Sequence, residues 1–390
     1  MNRVLARSLC LALFLAMAAS TAGYGQTALR ASMRAPGSEI TLSYFYENLA
    51  PDGEWFPDPT YGWCWTPYDV SDEWRPYYDG RWEYTDYGWS WASNEPWGWA
   101  TYHYGRWFFD DSYGWVWVPG TEWAPAWVAW RYGDDYVGWA PLPPRAGWDA
   151  SGGLSFSEAD AIPTQEWSFV PRAHVLDVGL RLQVVLVARN VTLFGRSHDA
   201  TRYEVRNGRP ANVGLDVSQV ERVVGRRVPP VRIVDVDTPA RGGRPAGNGA
   251  VGFFRPTVLR SPVAEAPPPR VVAPRSPIPD QVLQRVRDQE QRRLESNLSI
   301  ERTRLARDQK NELRVKAAGP AVDVVRKQHE AEQQAFEAHA VQQRQVLAQR
   351  IQKQIVKPAR VENARRQDNP GKARGQDNPG KAKGQDKRDK

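Results

Sequence analysis

The feature that most constrains this chain is a phrase repeated three times between residues 53 and 148. It reads Gly53-Glu54-Trp55 with Tyr61-Gly62-Trp63-Cys64-Trp65, then Gly80-Arg81-Trp82 with Tyr87-Gly88-Trp89-Ser90-Trp91, then Gly105-Arg106-Trp107 with Tyr113-Gly114-Trp115-Val116-Trp117. A degenerate fourth copy is Tyr136-Val137-Gly138-Trp139, and the stretch holds seventeen of the chain's 18 tryptophans. Side chains alternate across a strand, so aromatics two residues apart share a face, and the Tyr-Gly between such pairs is turn chemistry. Each copy therefore predicts a β-hairpin. In the second, Trp82, Tyr84, Trp89 and Trp91 share one face, with Arg81, Glu83 and Ser90 on the other. In the third the shared face holds Trp107, Phe109, Trp115 and Trp117, and the first copy repeats it more weakly with Trp55, Trp63 and Trp65. Shorter aromatic stretches, among them Glu95-Pro96-Trp97-Gly98-Trp99, separate the hairpins, and the whole reads as an antiparallel meander.

Rows of flat rings suit the C–H faces of pyranose sugars, while carboxylates such as Glu83, Asp86 and Glu95 suit hydroxyls. The candidate binding residues are therefore Trp82, Tyr84, Trp89, Trp91, Trp97, Trp99, Trp107, Phe109, Trp115 and Trp117. The competing reading makes the same rings the core, because leucine and isoleucine are scarce here and each buried aromatic removes about 150–250 Å² from water. Two faces of short strands can hardly hide seventeen indoles, so an exposed aromatic patch is expected, and such patches mark interaction sites.

Several of these segments resemble a known family. Phe45-Tyr46-Glu47-Asn48 running to Trp55, Trp97-Gly98-Trp99 running to Trp107, Trp123-Ala124-Pro125-Ala126-Trp127 and Val137-Gly138-Trp139-Ala140-Pro141 are similar to the Trp-rich YxWGxW-type repeat domain of uncharacterised exported bacterial proteins, some of which carry a FecR-like domain upstream. The resemblance covers about residues 40 to 148 and implies export and a bacterial envelope setting. It supplies no catalytic residues, and no FecR-like domain precedes the repeats.

Compartment is read from residues 1–25. Arg3 and Arg7 precede an apolar run from Leu9 to Met17 and then small residues around Ser20 to Ala22, the pattern of a signal peptide. No later run approaches the roughly 20 apolar residues of a membrane helix. The expected destination is the periplasm, the outer surface or the medium, with no transmembrane segment after cleavage. Cys64 would then be the sole cysteine, so stability must come from side-chain contacts.

With 31 prolines and a mean hydropathy of −0.62, much of the 390-residue chain is not expected to be core. Residues 26–150 form the aromatic β-repeat domain. Residues 151–237 read as a small α+β extension, with strands expected over 167–170, 182–187, 191–194, 203–205 and 231–236 and one short helix from Asp216 to Gly225. Ile40 to Tyr46 alternates like a strand. Residues 238–279 read as an extended Pro-rich linker, and 280–357 as two polar helices broken at Gly319-Pro320, whose sparse apolar stripes suit a hairpin or weak coiled coil. Residues 358–390 are a basic low-complexity tail. The fold class is thus α+β, an antiparallel β-hairpin domain followed by long helices.

Charge is unevenly divided. Residues 26–150 carry eighteen acidic side chains against seven arginines, while the rest of the chain is basic and the first lysine is Lys310. An acidic front and a basic rear predict attraction within or between molecules. Export argues against nucleic acid as the partner. His103, His174, His198, His329 and His339 show no metal-ligand spacing, and no nucleophile arrangement or phosphate-cradling glycine loop is visible. No catalytic residue, metal or cofactor is therefore named. The expected function is a non-enzymatic envelope-associated protein binding a surface polysaccharide or envelope protein through its aromatic domain, with homo-oligomerisation through residues 280–357. The alternatives are a structural assembly protein whose aromatics are core and, third, a glycan hydrolase using paired carboxylates.

Overall fold

The computed structural model describes residues 39–68, 70–151, 153–156, 161–263, 265–267, 280–315 and 320–352. The expected signal peptide and basic tail lie outside these residues. Within them the fold is α+β: several small, mostly antiparallel sheets, then two long C-terminal helices.

A two-residue strand β1 (Glu39–Ile40) leads into helix α1 (Leu42–Leu49), and four hairpins follow. They are β2 (Gly53–Asp58) with β3 (Gly62–Pro67), β4 (Gly80–Thr85) with β5 (Gly88–Ser93), β6 (Tyr104–Asp110) with β7 (Gly114–Trp123), and β8 (Val128–Gly133) with β9 (Tyr136–Pro141). A one-turn helix α2 (Gly98–Thr101) sits between the second and third hairpins. The degenerate fourth copy is thus a true hairpin. Each hairpin sets one tryptophan directly opposite another: Trp55 and Trp65, Trp82 and Trp91, Trp107 and Trp117, Trp130 and Trp139. Cross-strand aromatic pairs of this kind are the unit of sheet stabilisation.

The repeated phrase has a local physical cause. In the first and third turns an aspartate side chain ties the loop, Asp58 accepting from the backbone N–H of Thr60 and Tyr61 and Asp110 from that of Ser112 and Tyr113. The chain then passes through φ of +76° at Gly62 and +75° at Gly114, a region that favours glycine. The earlier glycine of the phrase has a different reason. A Cβ on Gly80 would lie 2.7 Å from the Trp91 ring, so the ring rests on bare backbone.

The hairpins do not run as a meander. The first and third join into one sheet in the order β2-β3-β7-β6, linked at Trp65 and Trp117. The second and fourth are completed by later residues. A small hairpin of β10 (Gly147–Asp149) and β11 (Gly153–Ser155) leads out of the repeats, β12 (Ser168–Pro171) adds to β9, and β13 (Ser197–Asp199) adds to β8. Strands β14 (Tyr203–Arg206) and β15 (Arg209–Asn212) pair with each other, and β15 meets β5 at Gly88. These additions cover strand edges that would otherwise invite association. Aromatic faces drive this arrangement, since Trp82 packs 4.5 Å from Trp130 across two hairpins, a contact an in-order sheet would forbid.

Four local expectations are corrected. Residues 42–49 form helix α1, which places Phe45 against Trp99, Tyr104 and Trp117. The stretches 182–187 and 191–194 are 3-10 turns, coil and helix α3 (Asn190–Gly195), because β12 and β13 already occupy both outer edges of that sheet. Residues 217–224 form helix α4 (Val217–Val224), as expected, with Asp216 accepting from the Ser218 N–H and Gly225 in the left-handed region. The supposed linker is structured over much of its length. After β16 (Arg232–Asp235) come β17 (Arg244–Pro245), β18 (Ala250–Phe253) and β19 (Thr257–Val258), with β18 paired to β16 and β19 to β1. Phe253 and Phe254 pin this segment to the body of hairpins and extension sheets, the head, against His103, Trp123, Tyr44 and Trp99. Two phenylalanines outweigh a composition rich in proline, glycine and arginine.

The arm consists of α5 (Asp280–Val315) and α6 (Pro320–Gln352). Buried positions recur in steps of three and four, at 294, 298, 301, 305 and 309 on α5 and at 325, 329, 332, 336 and 340 on α6. Four of these ten positions are polar, Glu301, Gln309, His329 and Glu332, and Gln309 donates to Glu332 within the seam. The Val187–Arg189 turn of the head supplies the missing contacts. Ala188 joins Leu294, Leu298 and Phe336, and Arg189 pairs with Glu312 and Glu332.

Candidate functional site

The structure turns the expected aromatic platform inward. Trp82, Trp89, Trp91, Trp97, Trp99, Trp107, Trp115 and Trp117 are buried, and Tyr84 and Phe109 are half-buried. Of the 18 tryptophans, Trp55, Trp63 and Trp148 are half-buried and none is exposed. Facing rows close on one another, and α1, the 250–254 segment and the arm cover the remainder. Many indoles also donate their ring N–H to a carbonyl outside their own hairpin, including Trp65 to Leu49, Trp89 to Leu215, Trp107 to Thr101 and Trp139 to Tyr77. Those of Trp55, Trp82, Trp91, Trp97 and Trp123 meet no acceptor among the described residues. Burying an indole gains about 4–6 kcal/mol from 150–250 Å² at ~25 cal/mol/Å², more than the roughly 1–3 kcal/mol of an orphaned donor. Ring burial decides the geometry.

Cys64 is fully buried beside Phe56 and Val116, and burial pushes its thiol up to about 12. It is a filler between Trp63 and Trp65.

A cavity of 540 Å³ lies between the second hairpin, the 94–103 turn and the 239–254 segment. Its inner wall is aromatic, built from Trp91, Trp99, Phe253 and Phe254, and its polar side chains are Asn48, Arg81, Ser93, Asn94, Glu95, His103 and Arg244. Arg81 is committed, with Nε 2.7 Å from Glu83 and Nη2 donating to the Gly243 carbonyl at 2.9 Å. Glu95 accepts from the indole N–H of Trp74, the hydroxyl of Tyr102 and the hydroxyl of Ser93. Burial pushes its carboxyl up to about 7 against the pull of those bonds. His103 donates from Nδ1 to the Ala124 carbonyl, and burial holds it down at about 4, so it is neutral. The other polar atoms are unspent. Arg244 is exposed and makes no ion pair among the described residues, while the side-chain amides of Asn48 and Asn94 donate to Tyr44 and Asp79 and keep their carbonyls free.

Of the ten sequence candidates only Trp91 and Trp99 reach this cavity. Sequence reasoning missed Arg81, Arg244, Asn48, Asn94 and the two phenylalanines as wall residues. The signal available was Phe253-Phe254, an aromatic pair within a stretch otherwise free of aromatics.

A second polar cluster lies where the arm meets the head. Arg293 and Asn297 reach Asp72, and Arg350 donates to the Tyr113 carbonyl. Beneath them Arg75 is buried and donates to the Trp167 carbonyl. Glu301 is hydrogen-bonded to Glu73, and burial beside that carboxyl pushes it up to about 7; burial also lifts Glu166 to about 7 and lowers His339 to about 4. This face of the arm covers Trp74, Phe109 and Trp115, leaving crevices of only 30 and 20 Å³.

Among the described residues no group of three His, Cys, Asp or Glu side chains is placed to hold a metal, and no helix is long and apolar enough to cross a membrane. Comparison with known proteins adds one finding. Residues 46–146 match a family of unknown function, DUF6600. The matched segment holds all four hairpins and the aromatic inner core of the head, and ends before the extension strands that complete two of its sheets. No curated protein and no solved structure matches the chain.

Proposed function

We propose that the protein is an exported, non-enzymatic, envelope-associated binding protein that holds a segment of surface polysaccharide in the head cavity. The observation that carries this reading is the cavity itself. Its 540 Å³ falls within the roughly 300–1,000 Å³ of small-ligand sites, and it joins an aromatic wall to a few unspent polar groups at its rim. The non-enzymatic part is supported by how the buried carboxyls are used. Glu95 serves three internal donors, and Glu301 is tied to Glu73. Export is supported by the charged and apolar pattern of residues 1–25. Titration of the intact protein with a panel of envelope and cell-surface glycans, followed by calorimetry and tryptophan fluorescence, is expected to give saturable binding. A flat response across the panel would remove the glycan reading.

The arm favours an assembly role beside it. Val286 and Ile300 are exposed, at 42 % and 64 %, and lie fourteen residues apart, close to one face of α5. If this face joins copies of the chain, the double variant Val286→Glu and Ile300→Glu should sediment as a smaller species than the parent. Identical sedimentation of the two proteins would rule the face out.

A further inference from the structure

The unspent groups of the cavity differ in kind, and that difference selects among sugars. This step rests on the cavity being the glycan site. Two cations line it, but Arg81 is neutralised by Glu83 and fixed by the Gly243 carbonyl. The one carboxyl, Glu95, is half-buried and saturated by its three donors. One exposed positive charge remains, Arg244 on β17, with the free side-chain carbonyls of Asn48 and Asn94 on the opposite elements.

We propose that the cavity takes an acidic sugar residue, a pyranose carrying a single carboxylate. Arg244 grips the carboxylate, Asn48 and Asn94 accept from ring hydroxyls, and the C–H face lies against the Trp99 and Phe254 wall. A guanidinium fork matches a carboxylate with two parallel hydrogen bonds, which gives both strength and orientation. A neutral sugar would leave that fork unused. A phosphate, with its greater charge, would call for a second free cation, and Arg81 is already spent. A cationic sugar would meet Arg244 without a compensating anion.

The test uses the full-length protein and three probes: a glucuronate-containing disaccharide, the same disaccharide with its carboxyl reduced to the alcohol, and inorganic phosphate. Calorimetry should show the acidic disaccharide binding roughly tenfold or more tightly than the neutral one, as expected for a charge-assisted hydrogen bond. Phosphate should bind weakly and compete poorly. Arg244→Ala should erase the preference while leaving the melting temperature unchanged, since this side chain is exposed and unpaired, and Arg244→Lys should restore only part of it. Equal binding of the acidic and neutral disaccharides would overturn the acid preference and leave the glycan site standing. Absence of binding by both would overturn the cavity reading as well. Phosphate binding as tightly as the acidic disaccharide, or an unchanged preference in Arg244→Ala, would also refute the assignment.

Discussion

Replacing Trp130 with alanine is expected to cost the head about 3–5 kcal/mol, enough to unfold a large fraction of a marginally stable domain. Trp130 is fully buried, and its ring lies 4.5 Å from Trp82 and 6.2 Å from Trp139. Its indole N–H donates to the Asn212 side chain at 2.7 Å, so one residue ties the second hairpin, the fourth hairpin and β15 together. The backbone of Gly214 runs directly beneath the ring, where a Cβ would stand 2.4 Å from it, so the surroundings cannot collapse far into the space left. Trp130→Phe separates the two contributions. It keeps most of the buried area, loses the donor and should cost about 1–3 kcal/mol. Denaturant unfolding of the three proteins decides the matter. A loss below about 1 kcal/mol for the alanine variant would mean that the aromatic rows are not the core.

Stability should pass through a maximum on the acidic side of neutral. Glu95, Glu166 and Glu301 sit near 7 in the folded protein against 4.5 when unfolded, because burial penalises their charge. A carboxyl raised in this way contributes fully below about 4.5, and the contribution drains away as pH rises through about 7. His103 and His339, lowered from 6.5 to about 4 by burial, act in the opposite sense: their contribution is full above 6.5 and is lost as pH falls toward 4. From about pH 8 down to about 6 the carboxyls dominate and stability climbs; below that the histidines oppose them. With one pKa unit worth about 1.4 kcal/mol, and with Glu95 and Glu166 only partly shielded, the climb should be on the order of 2–3 kcal/mol. Glu95→Gln and Glu301→Gln should each flatten part of it, the first in the head and the second at the seam with the arm. Thermal melts across this range in all three proteins provide the check, and a parent that loses stability steadily from pH 8 to 6 would contradict the buried-carboxyl account.

The repeat was legible in the sequence as far as the pleat reaches. A period of two shows which side chains share a face, so the pairing of Trp82 with Trp91 and of Trp107 with Trp117 follows from spacing and turn glycines alone. It carries no information about what a face meets. Whether Trp82 looks at solvent or at Trp130 depends on residues about fifty positions away, and sheet order depends on strands drawn from the extension. The misreadings share this cause. Helix α1 was hidden by aromatics that favour strands in isolation, and the 244–258 strands by a composition dominated by loop formers. The cavity could not be read at all, because its wall combines α1, the second hairpin, the 94–103 turn and the 239–254 segment. The helices were easier, since Asp280 and Gly319-Pro320 mark their ends locally.

The density of indoles has an optical consequence. Rings whose centres lie 4.5 to about 6 Å apart, as in the Trp82, Trp91, Trp130 and Trp139 group, exchange excitation faster than any one of them emits. The head therefore absorbs and fluoresces as a coupled array and not as separate chromophores. Its near-ultraviolet circular dichroism should carry paired bands of opposite sign. A quencher or ligand touching one edge of the array, at Trp91 on the cavity wall for instance, drains light from rings it never contacts.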